Sequence, residues 1–437
     1  MLWGKVASGS TERRRTATGV WIMNICIWRG ARQIGGTCIE IESQGKRLVL
    51  DIGQPLDSPD AESVEMPRVE GLKTPDNSLL GVVLSHPHLD HYGLAFRVPP
   101  STRFLMGAAA ERILEASAIF TPSGGTFENV THLENGKTLP LGPFKITPYL
   151  MDHSAYDSYA VLIEGDGKRI FYTGDLREHG RKGSLFTCLV AHPPPGVDVL
   201  LMEGTTIGRK NSKKGFPTEN DLQKEFELIF RTTTGMPMVW CSGQNIDRLV
   251  TVFKAAKRCG RQFIIDMYTA HILKSTENPN LPQAHWDGVR VFLPEFQKRR
   301  IKRQHDFDVA DLYKPYRIYP EHLAAATKNS VMLFRPSMQI DVESAGCLDG
   351  ACLVYSMWDG YLADEKTKLF LGWLKGRGIP MHKCHTSGHA SVRDLQRLRK
   401  AFAGAVVCPV HTTDPIAFTQ LFENVRVLTD GEQFDIN

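Results

Sequence analysis

Short apolar segments separated by glycine-containing turns follow one another from residue 24 onward. Their lengths predict a series of β-strands, because such runs pack well within a sheet. The predicted strands are 25–28, 38–41, 47–51, 79–85, 145–149, 159–163, 169–172 and 197–202. The strand at 79–85 is apolar at nearly every position, which predicts burial on both of its faces.

Helical patterns lie between the later strands. Thr218 can cap a helix that runs towards Phe230, and Asp221 stands three residues further on, as in a capping box. Residues 245–259 carry apolar side chains at helical spacing, and Ser391 can cap a further helix. The middle of the chain therefore predicts the alternating helices and strands of an α/β fold.

The composition narrows the class of protein. Of the 437 residues, 42% are apolar and 23% are charged, and the net charge is +4. These values exclude disordered, collagen-like and membrane-embedded proteins, and the length predicts roughly two to four domains. The small net charge does not indicate a nucleic-acid partner, although a local basic groove is compatible with it.

The cysteines and residues 1–22 give information about the cellular compartment of the protein. Nine cysteines are scattered without a CxxC pair, which argues against a disulfide framework and favours a reducing, cytoplasmic location. Residues 1–22 are rich in Ser, Thr and Arg, and we interpret them as a flexible tail or the product of an upstream start codon, with Met23 opening the domain. An organelle-targeting peptide is the alternative, and Glu12 argues against it.

A dense group of metal-ligand side chains stands directly after the predicted strand at 79–85. Its pattern is His86-x-His88-x-Asp90-His91. Neutral imidazoles and carboxylates are preferred ligands of zinc and similar divalent cations. A loop of solvated histidines would be the alternative, but the density of the cluster at a strand end argues against it. So short a segment cannot easily place four ligands on one ion, which favours two adjacent ions.

Two later side chains extend this pattern. His153 and Asp175 each follow a strand-like segment, although alone they would be read as a structural histidine and a turn residue. In this order, however, the motifs resemble those of the metallo-β-lactamase superfamily from about residue 24 to residue 204. The resemblance implies an αββα sandwich with a metal centre at one edge of its two sheets.

The last metal ligand has three candidates. His179 and His192 follow Asp175 in the chain, but neither stands after a convincing buried strand. His411 ends the apolar run 405–410, which predicts a strand that carries this histidine at its tip. We therefore favour His411.

Glu203, His389 and His411 narrow the resemblance further. In their contexts they resemble the additional motifs of the β-CASP nucleases, the family that includes ribonuclease J and the pre-mRNA 3′-end-processing endonuclease. The segment 242–248 is similar to part of the domain inserted in that family. The resemblance implies a discontinuous metallo-β-lactamase domain, 24–205 and 376–437, with a β-CASP insertion at 206–375.

The resemblance also implies the roles of individual residues. One zinc would be held by His86, His88 and His153, and the second by Asp90, His91 and His411, with Asp175 bridging the two ions. A hydroxide between the ions would be the nucleophile, and Mn²⁺ is an alternative to Zn²⁺. Asp90, Glu203 and His389 are the implied catalytic residues, with His389 as the general acid that Glu203 orients.

RNA as the substrate rests on His411, because the DNA-repair members of the family usually carry valine there. Ser387, Gly388 and Arg248 are candidate substrate contacts, since a Ser-Gly turn before a helix offers N–H donors to phosphate. A basic run could line a path for single-stranded RNA, and a solvated helical face explains it at least as well. This run consists of Lys298, Arg299, Arg300, Lys302 and Arg303, flanked by Phe296 and His305.

Three other functions are weighed against the ribonuclease. A DNA nuclease of the same family would share all these motifs, but such nucleases usually carry valine at the position of His411. A hydrolase of a small ester or thioester would need neither the long insertion nor Glu203 and His389. A non-catalytic RNA-binding module would not need every ligand that the chain retains. The sequence leaves undecided whether cleavage is internal or from a 5′ end, and whether the chain forms a homodimer or binds other proteins.

Overall fold

The computed structural model of the protein describes residues 21–209 and 212–436. Its strands form three sheets, two with seven strands and one with six. The prediction of a flexible tail or misplaced start at residues 1–22 falls on positions that, up to residue 20, lie outside the described residues. Within the described ranges, no helix is long and apolar enough to cross a membrane.

The first sheet joins the beginning of the described chain to its end. Its strands are β1 (Met23–Arg29), β2 (Cys38–Ser43), β3 (Lys46–Leu50), β4 (Leu79–Val83), β5 (Phe104–Gly107), β6 (Val130–Leu133) and β20 (Gln433–Ile436). They lie in the order β20-β1-β2-β3-β4-β5-β6. Strand β20 pairs antiparallel with β1, whereas β3 to β6 are parallel to one another.

The second sheet also draws on distant parts of the chain. Its strands are β7 (Leu139–Leu141), β8 (Phe144–Met151), β9 (Ser158–Gly165), β10 (Lys168–Tyr172), β11 (Val199–Glu203) and β19 (Val406–Val410), in the order β19-β11-β10-β9-β8-β7. Strands β10, β11 and β19 are parallel. Their carboxyl ends therefore meet at one edge of the sheet, which brings together the residues that follow each strand.

The third sheet is parallel throughout and lies between β11 and β19 in the sequence. Its strands are β12 (Pro237–Trp240), β13 (Gln262–Asp266), β14 (Val289–Phe292), β15 (Arg317–Ile318), β16 (Ser330–Leu333), β17 (Cys352–Tyr355) and β18 (Met381–Lys383). The sheet thus extends past the insertion boundary predicted at residue 376. Strand β18 escaped the sequence analysis because two of its three residues are exposed and polar.

The helices cover the outer faces of the sheets. They are α1 (Leu89–Tyr92), α2 (Ala108–Phe120), α3 (Gly183–Ala191), α4 (Glu219–Thr232), α5 (Ile246–Arg258), α6 (Met267–Ser275), α7 (Glu295–Gln304), α8 (Phe307–Tyr313), α9 (Pro320–Ala326), α10 (Gln339–Ser344), α11 (Glu365–Gly376), α12 (Val392–Ala401) and α13 (Pro415–Leu421). Short 3₁₀ helices occupy Ala95–Arg97, Lys314–Tyr316, Thr327–Asn329, Pro336–Met338 and Asp359–Ala363.

Buried side chains define the layers. Ile25 and Leu48 of the first sheet share a core with Ile146 and Val161 of the second, so these two sheets pack face to face. Side chains of α3, α12 and α13 join a separate core on the outer face of the second sheet. Leu114 of α2 belongs to a core on the outer face of the first sheet. This is the αββα sandwich, and the predicted fold class is confirmed.

The predicted local signals also recur in the structure. The eight strands predicted between residues 25 and 202 are present with shifted ends, and the strand predicted at 405–410 is present as β19. The run 79–85 shortens to β4, whose first two residues are only half-buried. Thr218 and Ser391 each form the complete capping box at the start of α4 and α12. A helix start that satisfies its own backbone N–H groups needs little tertiary support, which is why the sequence alone located it.

Candidate metal centre

The loop that follows β4 is held tightly against a neighbouring loop. The Asp90 carbonyl accepts a hydrogen bond from the Thr37 N–H at 3.2 Å, and the His91 carbonyl accepts one from the Ile52 N–H at 2.8 Å. A Cβ atom at Gly53 would lie 1.8 Å from the Asp90 carbonyl oxygen, so only glycine allows this approach. The histidine-rich loop therefore has one fixed path across the end of the first sheet.

Three imidazoles form the first cluster. His86, His88 and His153 offer ring nitrogens that all lie within 4.8 Å of one another. His153 stands two residues beyond β8, and its Nδ1 donates a hydrogen bond to the Gly388 carbonyl at 2.6 Å. The opposite nitrogen of a neutral imidazole is then unprotonated, and it lies 3.1 Å from His88 Nδ1. This arrangement suits a shared cation.

The same imidazoles are kept neutral by their surroundings. Burial lowers the pKa of His88 to about 4. Burial and the neighbouring histidines hold the pKa values of His86 and His153 well below the ordinary value. Neutral imidazole is the form that ligates metal ions, so this cluster is in its ligating state at neutral pH.

The second cluster combines carboxylates and imidazoles. Asp90, His91, Asp175 and His411 place one ligand atom each within 4.8 Å of the others. His411 Nε2 lies 3.2 Å from Asp90 Oδ2, and His91 Nε2 lies 3.2 Å from Asp175 Oδ2. The same Asp175 oxygen is 3.8 Å from His86 Nε2 of the first cluster. Asp175 therefore lies between the two clusters.

Opposite charges dominate the second cluster. Burial alone would lower the pKa of His91, but the Asp175, Asp51 and Asp90 carboxylates together raise it well above its ordinary value. Burial would likewise raise the pKa of Asp175, but His411 and His91 hold it well below the ordinary range. A cluster that stabilises positive charge in this way is suited to a divalent cation.

Asp51 orients His91, and the sequence analysis did not identify it. It is completely buried, and its Oδ2 accepts hydrogen bonds from His91 Nδ1 at 2.8 Å and from the Tyr172 hydroxyl at 2.6 Å. Ser85 donates to the same carboxylate through its N–H and its hydroxyl. A carboxylate behind a ligating histidine fixes the tautomer and the direction of the ring. The signal in the sequence was an aspartate ending an otherwise apolar strand.

Glu203 and His389 form a third group beside Asp175. His389 Nδ1 lies 3.3 Å from Glu203 Oε2 and 3.6 Å from Asp175 Oδ2. Backbone N–H groups of Leu176 and Thr205 donate to the Glu203 carboxylate, each at 3.2 Å, and fix its position. Burial would lower the pKa of His389, but Glu203 and Asp175 raise it above its ordinary value. His389 is therefore held ready to carry a proton.

The loop that carries His389 is fastened through its carbonyl groups. The Ser387 carbonyl accepts hydrogen bonds from Arg177 Nη1 at 3.0 Å and from His179 Nε2 at 2.8 Å. The Ser387 hydroxyl accepts a hydrogen bond from the His389 N–H at 3.0 Å. His179, a candidate metal ligand from the sequence, thus supports this loop together with Arg177, which no sequence pattern singled out. His179 and the exposed His192 lie outside the three clusters.

Arg248 corrects one prediction. It was a candidate substrate contact, but its side chain is completely buried. Its guanidinium forms an ion pair with Glu219 at 2.9 Å and donates to the Ser356 carbonyl at 3.2 Å. With its donors used inside the protein, Arg248 cannot reach a substrate. The position of Arg248 in the first turn of a helix does not reveal from the sequence whether its side chain faces the core or the solvent.

The basic run divides into two kinds of residue. Arg300 is turned inward, and its guanidinium donates to the carbonyls of Ala118, Ile119 and Thr121 at the end of α2. Such cationic donors satisfy the free carbonyls of a helix end. Lys302 and Arg303 are exposed. Only part of the run is thus available to a partner.

The unpaired atoms of the clusters fit a metal. His86 Nε2, His91 Nε2 and Asp175 Oδ1 are buried and make no well-aligned hydrogen bond within the described protein. Leaving such polar atoms unsatisfied costs roughly 1–3 kcal/mol each, and a cation would satisfy them together. Imidazole nitrogens with carboxylate oxygens form the donor set that divalent cations such as zinc take. The residues therefore suit bound divalent metal.

Comparison with known proteins bears on the same region. Residues 58–220 match the family described as "Beta-lactamase superfamily domain". Ribonuclease J of Mycobacterium tuberculosis (strain CDC 1551 / Oshkosh) is 23% identical over 248 residues, which cover 53% of this chain and 42% of that protein. The RNase J-like protein of Methanocaldococcus jannaschii is 31% identical over 195 residues, which cover 40% of this chain and 41% of that protein. The chain thus spans less than half the length of these relatives.

A solved structure shares the whole fold. A protein of unknown function from Enterococcus faecalis V583 aligns with 95% of this chain and 100% of its own, with a TM-score of 0.75 and 20% identity. The sandwich and the third sheet therefore occur together in another protein. Residues 58–220 of the chain are thus similar in sequence to the β-lactamase superfamily domain.

Proposed function

We propose that this protein is a zinc-dependent ribonuclease of the β-CASP type. The observation that carries the proposal is the position of Asp175, which lies within 4 Å of ligand atoms from both metal-type clusters and of His389. A metallo-hydrolase needs the clusters, and a phosphodiesterase also gains from a separate proton donor beside them. Similarity to the ribonuclease J proteins supports RNA as the substrate.

The metal-holding roles follow the two clusters. His86, His88 and His153 would hold one divalent cation, and Asp90, His91 and His411 the other, with Asp175 between them. When bound, such a pair of cations supplies an acidified water and neutralises charge on a phosphate. Asp51 and Thr205 support this set from behind, since Asp51 accepts from His91 and Thr205 Oγ1 lies 2.8 Å from His411 Nδ1.

His389 would supply the proton to the departing 3′ oxygen. Its Nδ1 faces Glu203 and Asp175, which leaves the other ring nitrogen to donate to the substrate. With 19% of its side chain exposed, it is more accessible than Glu203 at 1%. Glu203 would stabilise the charged imidazolium and hold the ring in place. The turn at Ser387 and Gly388 would contact phosphate through its N–H groups, and its carbonyls, which accept from Arg177, His179 and His153, hold the turn in place.

The proposal is tested by substrate choice. The purified protein, loaded with Zn²⁺ or Mn²⁺, is incubated with 5′-monophosphorylated and 5′-triphosphorylated RNA, the matching DNA and a generic ester. We expect cleavage of RNA, and the comparison of the two 5′ ends separates internal from 5′-end cleavage. Cleavage of DNA alone would favour the DNA nuclease, and cleavage of the ester alone a small-molecule hydrolase.

The role of His389 has its own test. His389→Ala is expected to keep its metal content and to lose about 10²- to 10⁴-fold in RNA cleavage, the range typical of a general acid. His192→Ala is the matched control, because His192 is exposed at the end of α3 and lies outside the clusters. Full activity in His389→Ala would remove this residue from the mechanism.

A further inference from the structure

Two large aromatic side chains lie open to solvent beside the metal-type clusters. Trp358 is 47% exposed and Tyr361 is 48% exposed, and both stand in the segment that follows β17. Arg209 approaches them from a different part of the chain, the segment that follows Glu203 at the end of β11. We call Trp358, Tyr361 and Arg209 the aromatic patch.

The aromatic patch has a defined geometry. The rings of Trp358 and Tyr361 are 5.4 Å apart between centroids and nearly perpendicular, at 87°. The Arg209 guanidinium carbon lies 5.3 Å from the centroid of the Trp358 ring, within the range of a cation–π interaction. A Cβ atom at Gly360 would lie 2.2 Å from the Trp358 ring, so the indole rests directly on this glycine.

The segment beneath the rings is anchored. The Tyr355 hydroxyl donates to the Trp358 carbonyl at 2.8 Å, and Lys383 forms an ion pair with Asp359 at 3.0 Å. The rings are therefore held in place although they are half open to water. A preformed surface loses less conformational entropy when a ligand binds to it.

The aromatic patch borders the proposed reaction centre. Arg209 lies in the turn that follows Glu203, where its N–H donates to the Thr206 carbonyl at 3.1 Å. The Thr206 hydroxyl in turn donates to the carbonyl of Ala390, the residue after His389, at 2.6 Å. Arg209 thereby brings a positive charge to the aromatic patch.

These features match one class of ligand. Exposed aromatic rings beside a cationic side chain are the usual platform for single-stranded nucleic acid, whose bases stack on the rings while the backbone phosphate meets the cation. Leaving a tryptophan half exposed forgoes hydrophobic stabilisation that burial would provide. Two adjacent exposed rings with a cation against one of them therefore suit a ligand better than internal packing.

We propose that Trp358, Tyr361 and Arg209 form a nucleotide-binding subsite that stacks a base of single-stranded RNA next to the phosphate to be cleaved. This inference rests on the proposed function and names the part of the protein that holds its substrate. The base stacks against Trp358 and Tyr361, and Arg209 pairs with a phosphate of the same strand.

The test couples a change in the protein to a change in the RNA. In the holoenzyme, Trp358→Ala is expected to raise KM for a single-stranded RNA by about 5- to 100-fold, the range for loss of one stacked base. Removing one base next to the cleavage site should raise KM similarly in the wild type and have little further effect in Trp358→Ala. Trp358→Phe should retain most of the affinity.

Three further variants sharpen the result. Gly360→Ala keeps all three patch side chains but displaces the indole, and should act like a milder Trp358→Ala. Arg209→Gln should reduce the salt slope of RNA binding by about 0.7, the value for one phosphate contact on a single strand. Leu228→Ala is the control, because Leu228 is 65% exposed near the end of α4, where the neighbouring Glu227 pairs with Arg258 at the end of α5. It should leave KM unchanged.

The outcomes separate the two proposals. If the wild type cleaves RNA while Trp358→Ala and Tyr361→Leu, both folded by circular dichroism, keep the wild-type KM, the subsite is wrong and the ribonuclease stands. The subsite would also be wrong if Trp358→Ala and removal of the base raised KM additively, because each change would then act without the other. If the wild type cleaves no RNA, the proposed function fails and the subsite falls with it.

Discussion

Replacing Arg177 by leucine should destabilise the protein strongly. The Arg177 side chain is completely buried between Asp152, which follows β8, and Asp247 in α5. Its guanidinium donates to Asp247 Oδ2 at 2.6 Å and to the Ser387 carbonyl at 3.0 Å, and its Nε lies 3.5 Å from Asp152 Oδ1. Arg177→Leu would keep much of the volume and remove the charge that these carboxylates face.

The size of the destabilisation depends on which groups are left without a partner when Arg177 is removed. The Ser387 carbonyl keeps a second donor in His179, so the loss of that hydrogen bond costs little. Asp247 instead loses its cationic partner while 9% of its side chain is exposed. Breaking a buried pair from one side typically costs about 3–5 kcal/mol. At about 2 °C per kcal/mol, the expected fall in Tm is about 6 to 10 °C.

The assay is a thermal melt followed by circular dichroism, made on metal-free protein so that metal binding does not add to stability. The double variant Arg177→Leu/Asp247→Leu removes both charges and should melt above Arg177→Leu, because no unpaired carboxylate remains from this pair. Arg299→Leu is the control, since its pair with Glu295 is exposed and worth at most about 1 kcal/mol. A Tm for Arg177→Leu within 2 °C of the control, or purely additive losses in the double variant, would refute the reasoning.

Two further predictions concern metal and surface charge. His411→Ala should halve the metal content of the loaded protein, measured by elemental mass spectrometry, because His411 belongs to only one of the two proposed ligand sets. An unchanged metal content would exclude His411 as a ligand. If α7 contacts the RNA backbone, the double variant Lys302→Glu/Arg303→Glu should weaken RNA binding and flatten its salt dependence. Arg300→Ala should instead lower Tm, because this side chain donates to carbonyls at the end of α2. An unchanged salt slope in the double variant would assign α7 to the solvated surface.

Most strands and helix starts could be predicted from patterns of neighbouring residues. The eight predicted strands and the two capping boxes were recognisable because their patterns involve only nearby residues. The dense motif at 86–91 located a candidate metal site for the same reason. By contrast, β18 is a short strand with exposed polar residues, and it depends on pairing with β17 rather than on its own composition.

Residues that act through distant contacts were missed or misread. Asp51 lies 40 positions from His91 in the sequence, and only the packed sheets bring its carboxylate behind the imidazole. Arg177 and Arg248 are both fully buried beside carboxylates that stand tens of positions away in the sequence. Charge balance inside a core is a property of the assembled chain, so a pattern of neighbouring residues cannot reveal it.

Because β19 pairs with β11, the sheets of the protein are completed in a fixed order during translation. His86 and His411 are 325 positions apart, so at about 5 to 20 residues per second roughly 16 to 65 s separate their synthesis. The third sheet is contiguous in sequence and can assemble during that interval, while the second sheet still lacks its edge strand. The proposed second ligand set, which includes His411, is therefore incomplete throughout most of translation.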